Sequence, residues 1–241
     1  NTKGIVLKNV SYGETSIIVT IYTALFGVQA YIVKGVRKSS KKKQPATAYF
    51  QPAAILDLEV YHSQVKNLQY IKEYQWAVLY ERIFFDVTRN AAAQYMVELL
   101  LNSQKQPESN TALFDITAEA LQHLDRNTEN IGANIPLYYT IKLCEELGFG
   151  VQGTYTTQTP VLDLEAGIFT TEQPLHAHYL ANEAALAVAQ LNETTSIENL
   201  GSILLNRNMR RMLLQALQNY IRLHITDFRE LKTLAVLMEI F

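Results

Sequence analysis

The sequence predicts an α+β protein in two parts: a five-stranded β-barrel over residues 1–79, then an α-helical domain over 80–241 with a small β-hairpin insertion at 150–180. Apolar residues recur at close to every second position as far as Trp76, and at helical spacing afterwards. Five such strands in about 75 residues leave no room for the helical crossovers of a parallel sheet. The positive charge of the chain is also gathered into the first part.

Ile5, Leu7 and Val10, then Ile17, Val19 and Ile21, then Val28, Ala30 and Ile32 predict three strands with one face on a core. Turn signals at Ser11–Glu14 and at Phe26–Gly27 separate them. Two further strands are expected over 50–61 and 66–76, which are rich in Ile, Leu, Val and Tyr. Closure removes exposed edges, so a small closed or nearly closed antiparallel barrel is expected, and five-stranded barrels often belong to the OB class; the Lys/Ser-rich 35–47 loop leaves it between the third and fourth strands.

Beyond residue 80, Ile83, Val87, Tyr95, Met96 and Leu99–Leu101 suit a first helix ended by 104–107, and Leu113, Ile116 and Leu121 suit a second. A third is expected from Pro136, which suits a first helical turn, to Leu147, with Gly148 as its stop. Gly150, Gly153, Pro160, Gly167 and Pro174 then punctuate a hairpin around Val161–Phe169. Helices return at about 181–191, 197–225 and 230–240.

Composition excludes several functions. The single cysteine, Cys144, forms no internal disulfide, and no cysteine zinc site can be assembled. The opening residues lack the pattern of a secretory signal, and no stretch reaches about 18 uninterrupted apolar residues, so a reducing cytoplasm and no membrane are expected. No Walker or G-x-G-x-x-G motif is present, and no nucleophile constellation stands out, so an enzyme is not expected. His176 and His178 with Asp163 or Glu165 make a poor metal site, because no third ligand is anchored beside them.

Charge carries the functional signal. Residues 1–80 hold ten Lys/Arg against four acids, a charge of +6, whereas 81–241 carry −8. Lys34, Arg37, Lys38, Lys41, Lys42 and Lys43 fall within ten residues, a density that suits phosphate tracking. Tyr12 and Tyr49, in or beside loops, are candidate stacking platforms for unpaired bases. Arg207, Arg210 and Arg211 open a long helix and suit capture of carboxylates. The same features also fit an OB-fold RNA-binding or protein-interaction module.

Several segments resemble the RecO family of bacterial recombination mediators. They are Thr2–Lys8, Tyr12–Thr15, Gly27, Val33–Lys38, Phe50–Pro52, Leu147–Phe149, Tyr220–His224 and Leu231–Thr233, in the family's order across nearly the whole chain. The resemblance implies an OB-fold joined to a helical domain. It also implies binding of single- and double-stranded DNA, annealing of complementary strands, and loading of RecA with the partner RecR. A further implied partner is the acidic, apolar C-terminal tail of single-stranded-DNA-binding protein, held on the helical domain. The implied location is the bacterial cytoplasm, at the nucleoid. Lys34, Arg37 and Lys38 match the family's basic strand-end motif; Lys41–Lys43 extend it by charge alone. Arg207, Arg210 and Arg211 are tail-binding candidates from charge and location. Many members carry a four-cysteine zinc module after the Leu-Gly-aromatic element, but residues 150–180 contain no cysteine, so no cofactor is expected.

Overall fold

A computed structural model of the chain describes residues 1–37, 46–63, 65–104 and 108–240. Strands β1 (Thr2–Tyr12), β2 (Ser16–Thr23), β3 (Gly27–Val33), β4 (Ile55–Tyr61) and β5 (Leu68–Trp76) close into a barrel in the order β1-β2-β3-β5-β4. All neighbouring pairs are antiparallel except β3 with β5, which is parallel. A closed ring of five strands cannot be antiparallel throughout. Directions must alternate around a ring, and an odd number forces one like-directed pair.

Strand β1 closes the barrel by pairing with β4 through Thr2–Ile5 and with β2 from Gly4 to Tyr12. An irregularity between Val6 and Lys8 bends it from one neighbour to the other. Gly4 lies where both pairings overlap: a Cβ there would stand 2.5 Å from Ile21 Cγ2 and 2.7 Å from Leu58 Cδ1. The core holds Ile5, Val6, Ile17, Val19, Ile21, Leu56 and Leu58; alternation predicts this for β2, whereas β1 buries Ile5, Val6 and Leu7 in succession and leaves the expected core residue Val10 exposed.

Strand β3 departs from the expected facing. Ile32 is buried as expected, but Tyr31 and Val33 beside it are buried too, while Val28 and Ala30 are only half-buried. Ladder partners share a face, and the register sets Tyr31 against Val19 and Val33 against Ile17, both buried. The phenol ring of Tyr31 is therefore a core element.

The chain divides into two compact units, Asn1–Glu81 with Val97–Gln122 and Arg82–Met96 with His123–Phe241. Helices α1 (Val87–Ser103) and α2 (Thr111–Arg126) contribute to both, so this division differs from a single cut near residue 80. In the first unit Tyr22, on the barrel, lies against Phe114 and donates to the Asn110 carbonyl at 3.1 Å.

The second unit contains α3 (Glu129–Glu146), β6 (Val161–Asp163), β7 (Ile168–Thr170), β8 (Tyr179–Ala181), α4 (Glu183–Glu193), α5 (Arg207–His224) and α6 (Lys232–Ile240). Helix α3 begins before Pro136, which lies in its interior and not in its first turn. Burial of Ile135, Leu137, Tyr139, Ile141 and Leu143 outweighs the lost N–H donor. The helix expected over 197–225 is two pieces: a 3₁₀ turn at Ile197–Ser202, then α5, which Asn206 caps by accepting from Met209 N at 2.8 Å. The expected hairpin gains a third strand, giving the sheet order β7-β6-β8. Among the described residues no helix is long and apolar enough to cross a membrane.

Candidate nucleic-acid interface

The end of β3 and the β1–β2 turn are tied together. Val36 is buried and anchors the segment after β3. Arg37 N donates to the Thr15 carbonyl at 3.0 Å, and its guanidinium Nη1 donates to the Gly13 carbonyl at 3.1 Å. Exposed Arg37 is thereby held beside Tyr12, which is 51% exposed. Lys34 is exposed as well, and its Nζ lies 5.5 Å from the centroid of the Tyr70 ring on β5. The structure thus gathers Lys34, Arg37 and Tyr12 at one end of the barrel and adds Tyr70.

Tyr49 lies elsewhere. Its ring stacks on Trp76 at 4.8 Å and meets Tyr74 edge-on at 5.2 Å, an arrangement that packing explains without a ligand. Lys38 and Lys41–Lys43 fall outside the described residues.

The β4–β5 face is electrostatically different. Lys3 pairs with Asp57 at 3.3 Å and Lys72 with Glu59 at 2.5 Å, and Asp57, Glu59 and Glu73 line a depression of 510 Å³. The hydrogen bond and charge of Glu59 hold the Lys72 ammonium above its usual range. Cations on this face have carboxylate partners, whereas Lys34 and Arg37 contact a ring and a carbonyl.

Sequence reasoning did not single out Tyr70. It is 43% exposed and pairs with Ile32 of β3 and with Tyr61 of β4. Its signal was the alternation of Tyr70 and Lys72 on the outer face of β5, but placing it beside Lys34 required the parallel β3–β5 register.

The arginines of α5 separate in the second unit. Arg207 and Arg211 share one target, the Glu239 carbonyl near the end of α6, where cationic donors suit a helix C-terminus. Arg210 turns inward, its Nε donating to Asn134 Oδ1 at 3.1 Å, and burial holds its pKa below the usual guanidinium value. Arg207 and Arg210 line a cavity of 370 Å³ together with Arg89, Asp86, Leu124 and Ile240. An apolar groove of 440 Å³ adjoins it, sharing Asp86 and Ile240 and lined by Phe85, Val87 and Val236. Arg211 instead lines a separate groove with Met212 and Met238. Arg89 was invisible in the sequence because its cavity neighbours come from α2, α3, α5 and α6 as well as from its own helix.

Within the insertion the histidines face carboxylates and a side-chain amide. His176 Nε2 faces Asp163 at 3.3 Å and His176 Nδ1 faces Glu165 at 3.6 Å, so the two carboxylates meet opposite edges of one ring. His178 Nδ1 is engaged by the Asn219 side chain at 2.9 Å. Among the described residues no group of three or more His, Cys, Asp or Glu is placed to hold a metal ion. These residues do not fit the zinc module that the resemblance brings with it.

Comparison with known proteins agrees with this architecture. Residues 1–80 match the family described as Recombination protein O N terminal, and residues 85–234 match Recombination protein O C terminal. Proteins named DNA repair protein RecO are similar over the whole chain and 98% of their own length. The chain is 32% identical to the one from Flavobacterium psychrophilum over 240 residues and 32% to that from Christiangramia forsetii over 241. It is 28% identical to the one from Azobacteroides pseudotrichonymphae over 240 residues.

Proposed function

The chain belongs to the RecO family of bacterial DNA repair proteins, and on that premise we propose that it is a non-enzymatic recombination mediator. It binds single- and double-stranded DNA, anneals complementary strands, and cooperates with RecR to load RecA. The observation that carries this reading is the grouping of Lys34, Arg37 and Tyr12 with Tyr70 at one end of a closed barrel. Cationic side chains neutralise phosphates and release counterions, which lowers the repulsion between two strands. Contacts made to phosphates leave base edges free to pair, so annealing needs no bond-breaking chemistry. Lys38 and Lys41–Lys43, close by in sequence, add positive charge to the same segment.

The helical unit supplies the second activity. An acidic, apolar C-terminal tail of single-stranded-DNA-binding protein sets its carboxylates on Arg207 and Arg210 and its apolar side chains in the groove of Phe85, Val87 and Val236. Arg211 meets the same Glu239 carbonyl as Arg207 but lines a separate groove, so it stands at the edge of this surface.

Annealing of complementary oligonucleotides, naked or coated with single-stranded-DNA-binding protein, tests this. The protein accelerates annealing of naked strands, and of coated strands only when the coating protein keeps its tail. Failure to accelerate naked strands contradicts the annealing role. Equal acceleration with and without the tail contradicts the tail site.

A further inference from the structure

The Lys34–Tyr70 pair differs from the other aromatic arrangements of the barrel. Tyr49, Phe50, Tyr74 and Trp76 pack on one another, and Tyr22 packs on Phe114. Tyr70 is 43% exposed, and its single ring or charge contact among the described residues is the Lys34 ammonium 5.5 Å from its centroid. Across the ladder stands Tyr61, 63% exposed and directly opposite Tyr70, so both rings emerge on one face. The pair therefore presents an aromatic surface beside a cation that is free to turn towards a phosphate.

Resting on the reading that this barrel end binds DNA, we infer that Tyr70 is a stacking platform for an unpaired base and the residue that makes the site prefer single strands. Base faces are covered by their neighbours in a duplex and open in a single strand, so an aromatic ring gains only from the latter. Lys34 and Arg37 contact phosphates that both forms possess, and they carry no such preference. When Lys34 moves to a phosphate it uncovers the Tyr70 face for the attached base, so the contact seen in the free protein is exchanged for a phosphate contact and a stack. An exposed cation–π pair kept for folding alone is a weak interaction, and its loss leaves DNA affinity unchanged.

The test is fluorescence anisotropy with a labelled single strand and with a labelled duplex of equal length, using the full chain and its Tyr70→Ala, Tyr70→Leu and Tyr70→Phe variants. Tyr70→Ala and Tyr70→Leu weaken single-strand binding by roughly 5- to 150-fold while duplex binding changes less than about twofold. Tyr70→Phe keeps the ring and stays close to the parent on both. Melting temperatures show whether each variant is folded, and Tyr70→Leu preserves apolar bulk if Tyr70→Ala is not. Equal losses on both DNAs, or no loss on the single strand, overturn the role of Tyr70 while leaving the barrel end as the DNA site. A parent protein that binds neither DNA overturns the site and the inference together.

Discussion

Tyr220→Ala lowers the stability of the helical unit by about 3–5 kcal/mol, the range for removing a large buried aromatic side chain. Tyr220 is 1% exposed, and its hydroxyl donates to the Phe149 carbonyl at 2.5 Å. Its ring lies 4.3 Å from His224, which stacks on Phe149 at 5.3 Å and meets the Leu164 carbonyl through Nε2 at 3.0 Å. Gly167 completes the clasp: it adopts φ +70°, and a Cβ there would stand 2.7 Å from the Tyr220 hydroxyl. These contacts fasten the β6–β7–β8 insertion to α5, in the region where many relatives of the family use four cysteines and zinc. Tyr220→Phe keeps the ring but strands the Phe149 carbonyl, and costs about 1–3 kcal/mol. Denaturant unfolding followed by circular dichroism reads both values.

The same residue sets an alkaline limit. Burial, with the nearby Cys144 thiol adding to it, pushes the Tyr220 phenol up, and burial pushes Tyr31 in the barrel up to about 12. An unfolded tyrosine ionises near pH 10. Above that pH the unfolded chain loses phenolic protons that the folded chain keeps, so stability is full below about pH 10 and falls as pH rises towards 12.

Reversing Lys34 and Arg37 to glutamate weakens binding to all DNA sequences alike, because phosphate contacts carry no sequence information. Each lost contact removes about 0.7 from the slope of log K against log salt for a single strand, so the double variant is shallower by about 1.4. Between 50 and 200 mM salt it therefore loses about sevenfold less affinity than the parent. Both side chains are exposed, so the melting temperature barely moves. Arg37 also braces the β1–β2 turn through the Gly13 carbonyl. Arg37→Gln separates the two roles, since its amide keeps a donor for the turn carbonyl while the charge is lost. A double variant that binds like the parent removes these residues from the interface.

The barrel was legible because period-two apolar spacing survives in any half-buried strand, and five short strands have few ways to close. What alternation could not supply was pairing. The facing of β3 followed from Tyr31 matching Val19, and the position of Tyr70 beside Lys34 followed from a parallel register. Both are long-range facts with no local signature. In the helical unit, Pro136 reads locally as a helix start, yet burial around it carries α3 through. Arg207 and Arg211 share a helix face as spacing predicts, but Arg210 is drawn inward by Asn134, far away in sequence. The cavity it lines with Arg89 is a product of tertiary packing.

Everything proposed for the barrel rests on the Lys34–Arg37 end binding nucleic acid through phosphates. Its most direct test is anisotropy of a labelled single-stranded oligonucleotide with the full chain across a salt series. Saturable binding at low salt is expected, with log K falling linearly and steeply as log salt rises. Binding that salt leaves unchanged, or no binding at low salt, would contradict it.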